Sequence, residues 1–321
     1  MLAYFILAAG FGLLALGGEA ALRGAIGLST IAQLPSLFIG LFVVSLGVVL
    51  PQLSVALQAA ELGVPDLAFA SIVGENIFTI LLVLGLAASV GSIPAPPKIV
   101  FRDGGTMLVA SLALATIAST GSLTRWTGIV LLWTFLAYLA LSFATDWRRP
   151  VLRSLAEGRA LAHGRPPRVE LCLILLVLGA GCLFLGGQFT VDGAVAFARM
   201  EHVSEVAVAL TLVAAGTLLP VLFVAVSAST RGMANVVAGE LVGASVLNIL
   251  FVLGLTAVVR PLTIPRETAQ ADVYVAVASA GVVVAMMLPG WRITRLQGAF
   301  LIACYIGYLG FLAWRQGLSP L

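Results

Sequence analysis

The chain has 321 residues, of which 61% are apolar and only 10% charged, with a formal net charge of +3. A soluble domain carries about 25% charged residues on its wet surface, so a water-soluble globule is excluded, and so small a charge gives no footing for nucleic acid. Mean hydropathy is +1.12, and runs of about 20 apolar residues, the length that crosses a hydrocarbon core about 30 Å thick, recur from end to end.

Breaks by Pro, Gly and charge place spans, in chain order, near 3–22, 34–60, 67–90, 105–120, 127–145, 169–190, 204–229, 235–258, 272–289 and 296–315. Segments such as Ile80 to Val90 and Val169 to Gly187 are apolar on every side, which excludes a barrel of alternating strands. So many spans exclude a peripheral or lipid-anchored protein. The first span lacks a basic leader and a small-residue cleavage site, so it is read as a span and not as a signal peptide.

The longest hydrophilic stretch, Asp146 to Arg168, holds six arginines and divides the spans five and five. With the N-terminus outside, cytoplasmic loops hold 12 of the 17 Lys and Arg residues and outer loops 5. That asymmetry follows the positive-inside rule. It predicts a multi-pass plasma (inner) membrane protein with both termini outside and the Arg-rich loop cytoplasmic; contact with anionic lipid is a second use for that loop. The expected units are 1–145, a first five-helix repeat; 146–168, a cytoplasmic linker; and 169–321, a second five-helix repeat.

Cys172, Cys182 and Cys304 lie in apolar runs without CxxC spacing, and His163 and His202 flank no metal pattern, so all five read as structural or solvated. No cofactor is expected. The spans contain no paired catalytic carboxylates, no Ser/His or Cys/His arrangement and no HExxH motif, which argues against an enzyme.

Sliding the chain against itself by 169 residues places Gly17-Gly18 on Gly186-Gly187, Gly24-Ala25 on Gly193-Ala194, Gly47 on Gly216 and Leu50-Pro51 on Leu219-Pro220. The same shift places Val73-Gly74 on Val242-Gly243 and Val83-Leu84-Gly85-Leu86 on Val252-Leu253-Gly254-Leu255, with no gap. Apolar bias aligns Leu and Val by chance, but not a proline and many glycines in register. An odd number of spans per half makes the second half enter the membrane from the opposite side. The fold expected is therefore an all-α polytopic protein of about ten helices in two inverted five-helix repeats, an arrangement typical of secondary transporters with a site near the midplane. Pro51 and Pro220 deprive the carbonyls of Gly47 and Gly216 of their helical donors. In hydrocarbon those oxygens must face protein, water or an ion; healing of a simple kink by Ser45 or Thr217 is the alternative.

The segments Ser45-Leu-Gly-Val-Val-Leu-Pro-Gln-Leu53 with Gly74-Glu-Asn-Ile-Phe-Thr79, and Thr211-Leu-Val-Ala-Ala-Gly-Thr-Leu-Leu-Pro-Val221 with Gly243-Ala-Ser-Val-Leu-Asn248, resemble the two alpha-repeats of the sodium/calcium exchangers, within the calcium/cation antiporter superfamily. Those repeats read approximately G-T-S-L-P-E and G-S-N-I-F-N. The lead-in Val191-Asp-Gly-Ala-Val-Ala-Phe-Ala198 is similar too. The resemblance implies exchange of cations by alternating access. It also exposes departures. Gln52 and Val221 stand where the family holds its two calcium-binding glutamates, and Val48-Val49 and Thr217-Leu218 replace Thr-Ser pairs. The final motif ligand appears as Thr79 and Asn248, Asn76 is retained, and Glu75 occupies a position where the family has a small serine.

Glu75 lies about eight residues into its span, roughly 12 Å deep at ~1.5 Å per residue. An ionisable group there is a functional hypothesis by default; the other reading is a protonated side chain that only bonds a neighbouring helix. Ser71, Glu75 and Thr79 share a helix face that can meet Gln52. Glu240, Ala244 and Asn248 form the equivalent face in the second repeat, where Glu240 either lines an access path or reaches interfacial water. Thr217 and Asn248 offer neutral oxygens or packing hydrogen bonds. Asp66 suits a helix N-cap. The expected cation-binding set is thus Glu75, Gln52, Thr79, Thr217 and Asn248, with Glu240 on an access path.

Calcium favours six to eight oxygens with several carboxylates, and this set holds one. The expected function is a secondary-active cation antiporter exchanging calcium or a monovalent cation for sodium or protons, with small inorganic cations and the lipid bilayer as partners. The reading from another class is a transporter-fold protein that no longer transports and acts as a membrane regulator or partner.

Overall fold

The computed structural model describes residues 2–31, 45–146, 168–230 and 234–317. Among them nine helices are long and apolar enough to cross a membrane. They are α1 (Leu2–Ile31), α3 (Pro65–Val90), α4 (Ile99–Ser119), α5 (Arg125–Asp146), α6 (Val169–Met200), α7 (Glu205–Thr230), α8 (Val237–Val259), α9 (Thr268–Met287) and α10 (Arg295–Arg315). The tenth predicted span is represented by α2, Ser45–Glu61; its first part, like the Arg-rich loop from 147 to 167, lies outside the described residues.

Several helices extend beyond the apolar runs because their charges are paired within them. α1 continues through Arg23, which bonds Glu19 one turn back at 2.5 Å. α4 begins at Ile99 and not near 105: buried Asp103 accepts from Arg102 at 2.6 Å and from the Tyr138 hydroxyl on α5 at 3.0 Å. α9 likewise starts at Thr268, with buried Asp272 held by Tyr308 at 3.0 Å and Arg315 at 3.1 Å on α10. Asp103 and Asp272 coincide under the 169-residue shift, so each repeat ties its last two helices with a carboxylate and a tyrosine. Asp66 is not an N-cap. That position belongs to Val64, which makes no side-chain cap, and Asp66 Oδ1 accepts from Thr263 at 2.6 Å.

Two short strand pairs fix the parity of the crossings. β1 (Ile93–Pro94), after α3, pairs antiparallel with β4 (Arg292–Ile293), between α9 and α10. β2 (Ser122–Leu123), between α4 and α5, pairs with β3 (Leu262–Thr263), after α8. The shift that relates the repeats carries β1 onto β3 and β2 within one residue of β4. One pair therefore closes each end of the bundle, as inversion requires.

Glycines set the closest helix approaches, and these also come in related pairs. Gly10, Gly17 and Gly24 on α1 face α6, and Gly179, Gly186 and Gly193 on α6 face α1; a Cβ at Gly17 would stand 2.8 Å from Leu183 N and one at Gly186 2.8 Å from Leu14 N. Gly85 of α3 meets Gly298 of α10, as Gly254 of α8 meets Gly128 of α5. Without a hydrophobic force between helices in lipid, such backbone approach is what holds them. Gly17→Val is expected to separate α1 from α6 and cost about 1–3 kcal/mol, read as a lowered midpoint of thermal unfolding in detergent.

Candidate functional site

The most buried helices, α3 and α8, run through the centre of the bundle, with α2 and α7 packed on them. Gly74 lets the α3 backbone press on α7: a Cβ there would lie 2.6 Å from Leu210 Cα. The next residue is Glu75, only 3% exposed. Asn248 of α8 lies close enough to its carboxyl group to interact with it, so a side chain from each repeat meets at the interface. Gln52 of α2 reaches the same face of α3, its Nε2 donating to Ser71 Oγ at 3.1 Å, while Ser71 donates to Ala68 O at 3.0 Å. Asn76 Nδ2 donates to Ile72 O at 2.9 Å.

These donors are all used, and the acceptors are not. Gln52 Oε1, Glu75 Oε2, Asn76 Oδ1, Thr79 Oγ1 and Asn248 Oδ1 are buried without a hydrogen-bond partner. An unpaired buried oxygen costs about 1–3 kcal/mol, and five on neighbouring turns of three packed helices share one chemical character. They are hard oxygen donors with one carboxylate among them, which suits an alkali or alkaline-earth cation. Among the described residues no three His, Cys, Asp or Glu side chains come together as metal ligands.

Of the sequence-predicted set, the structure brings Glu75 and Asn248 into contact, with Gln52 and Thr79 buried on adjoining turns. Thr217, on α7, is also buried, but its hydroxyl donates to Val213 O and Ala214 O, both at 3.1 Å, and not to Gly216 O. It does not heal the carbonyl orphaned by Pro220. Ser45, the residue suited to the same task at Pro51, has a side chain outside the described set. Glu240 is partly exposed and touches none of the five oxygens' residues by any hydrogen bond.

The orphaned carbonyls of Gly47 and Gly216 mark the two prolines as the expected interruptions of helix. Both prolines instead lie inside continuous helix, α2 and α7. The irregularity sits elsewhere: π-helical turns occupy Phe78–Val83, Ile99–Gly104, Ala209–Val213, Asn248–Leu253 and Thr268–Asp272. Such turns are rare; those of α3 and α8 begin at or beside Thr79 and Asn248, while two others open α4 and α9 at the paired Asp103 and Asp272. No residue type marks them in advance. Asp103 and Asp272 also escape an argument built on motif positions, although their coincidence under the repeat shift is a usable signal.

The sequence signature described as sodium/calcium exchanger protein matches residues 2–144 and 171–314. Inner membrane protein YrbG of Escherichia coli (strain K12) is 32% identical over 296 residues, covering 90% of this chain and 89% of that one. Putative antiporter CaxA of Alkalimonas amylolytica is 30% identical over 288 residues, covering 88% and 90%. In three dimensions the chain is similar to the sodium-calcium exchanger NCX_Mj, with a TM-score of 0.63 at 24% identity over 96% of this chain and 98% of that one.

Proposed function

We propose that this chain, a member of the sodium/calcium exchanger family, is a secondary-active cation antiporter with Glu75 as the single titratable ligand of its transport site. The observation that carries this reading is the group of five buried, unpartnered oxygens, one of them from the Glu75 carboxylate. Gln52, Thr79, Asn248 and Thr217 complete the proposed ligand set with neutral oxygens, and Val221 leaves an apolar side chain where the resembling motif has a second carboxylate. One negative charge is balanced by one alkali cation or one proton. We therefore assign a monovalent cation or a proton to at least one of the exchanged species, with calcium as the other candidate substrate.

The chemistry of exchange follows from competition. A proton and a metal cation cannot share the Glu75 carboxylate, so arrival of one expels the other. Inverted repeats supply the two orientations in which the site opens to one face and then the other. Purified protein in liposomes, tested with calcium, sodium, potassium and proton gradients in turn, checks this directly. Coupled counterflow of a metal cation against sodium or protons supports the antiporter; a sealed, folded preparation that moves none of the four favours the non-transporting reading.

The same proposal includes an orientation, with termini outside and the Arg-rich loop inside. Ser154→Cys and Leu321→Cys, each in a background lacking the three native cysteines, are expected to react with a membrane-impermeant thiol reagent from opposite faces. Labelling from one face would overturn the five-plus-five inversion.

A further inference from the structure

Duplication gives two access routes that begin equivalent, and the α3 and α8 faces show where they have diverged. Under the repeat shift Ser71 pairs with Glu240, Glu75 with Ala244 and Thr79 with Asn248. Each of these two faces therefore holds one glutamate, on a different turn. Glu75 and Asn248 meet at the centre. Glu240 stands two turns before Asn248 on the same face of α8, about 12 Å along the axis, and only the small Ala244 intervenes. Among the described residues Glu240 has no hydrogen bond or ion pair, and its side chain is partly open. Ser71, its counterpart, is fully buried and bonded to Gln52 and Ala68.

The packing around the two routes is unequal in the same sense. At the end where α2 turns into α3, Gly187 lets α6 lie against α2: a Cβ there would be 3.0 Å from Gln58 Cγ, and Ser54 Oγ donates to Leu183 O. The repeat-related contact at the other end would set Gly18 of α1 against Phe223 of α7. Gly18 faces Pro51 instead, and Phe223 and Val224 stay 71% and 57% exposed, an apolar surface suited to lipid. The α6-type contact is thus missing at the end where α7 turns into α8, the end that carries Glu240.

We propose that Glu240 is a second cation-binding residue, serving one access route only: it takes a hydrated alkali or alkaline-earth cation from the face where α8 begins, and hands it to Asn248 and Glu75. By the basic-residue asymmetry that face is the cytoplasm. The opposite route, with Ser71, has no equivalent charge, so the carrier is built with unequal affinities on its two sides. This inference rests on the antiporter reading of the Glu75 site. A carboxylate in a low-dielectric cleft raises local cation concentration by about tenfold or more.

Right-side-out and everted membrane vesicles carrying the full chain separate the two faces, with calcium-45 and sodium-22 as probes. Glu240→Gln is expected to raise the half-saturating concentration of the transported cation about tenfold from the cytoplasmic face and to leave the external value unchanged, which also certifies that the variant is folded. Adding Ser71→Glu is expected to lower the external value and so reverse the asymmetry. Equal shifts at both faces, or no shift, would overturn the role of Glu240 while leaving the antiporter intact. Failure of the parent to move either cation, by contrast, would remove the antiporter reading and this inference together.

Discussion

Glu75→Gln is expected to abolish cation flux and its pH dependence together while leaving the protein folded. The substitution keeps the shape of the side chain beside Asn248, and removes the one negative charge at the centre. Losing one member of a buried charge pair costs about 3 kcal/mol or more, roughly a hundredfold in cation affinity. In the parent, flux rises with pH, because deprotonation of Glu75 frees the carboxylate for the cation and acid returns the proton that displaces it. The amide has no proton to exchange, so the pH profile flattens at background. Flux measured in liposomes between pH 5 and 9, with thermal unfolding as the folding control, checks both outcomes. Parent-like activity in Glu75→Gln would leave the residue as a helix-to-helix hydrogen bond and nothing more.

The fold is legible because the chain carries its duplication in residues that apolar bias does not scramble. Pro51 and Pro220, Gly85 and Gly254, and the Gly pairs at 17 and 186 stay in register over a shift of 169 residues, and in the structure those glycines are where helices touch. What stays illegible depends on contacts between distant segments. Nothing in the run before Asp272 says that Arg315 and Tyr308 will meet it, so the apolar pattern places the start of α9 four residues late. Asp66 carries the residue type of a cap, yet Thr263, nearly two hundred residues away, claims its oxygen. The π-helical turns are of the same kind: those at Phe78–Val83, Ile99–Gly104, Ala209–Val213, Asn248–Leu253 and Thr268–Asp272 share no residue type that marks them in the chain.

The candidate site is half legible for a related reason. Motif position identifies Gln52, Glu75, Thr79, Thr217 and Asn248, but their hydrogen-bond status decides which of them are free to bind. Thr217 commits its proton to Val213 O and Ala214 O, which orients the hydroxyl oxygen without leaving it bare. Gln52 commits its amide to Ser71 and keeps Oε1 free. Asn248 joins the two repeats through Glu75 and still presents Oδ1. The proposed ligand field is thus rich in oxygen and poor in charge, so it meets the charge of a divalent ion only in part.

Supplying the missing charge is therefore expected to convert the site. Gln52→Glu together with Val221→Glu places carboxylates at two positions related by the repeat, one on α2 and one on α7, each just after its proline. The Ser71 hydroxyl, which accepts from Gln52 in the parent, can turn its proton to the introduced carboxylate on α2, so the first change disrupts little. Val221 is only half-buried, which leaves room for the second. Together with Glu75 they make three carboxylates that repel one another when no ion is bound, and the variant is expected to unfold at a lower temperature than the parent in chelator. Calcium relieves that repulsion. At calcium one hundred times above its dissociation constant, binding stabilises the native state by about 2.7 kcal/mol, seen as a calcium-dependent rise in the unfolding midpoint of the double variant and a much smaller rise in the parent. Isothermal titration with calcium should show affinity gained by about a hundredfold or more, at about 1.4 kcal/mol for each factor of ten. Either single substitution should fall between, since one added carboxylate leaves the divalent charge only partly met. Tight calcium binding by the parent, unmoved by both substitutions, would mean that the divalent ion is held elsewhere and that the five free oxygens serve only the monovalent partner.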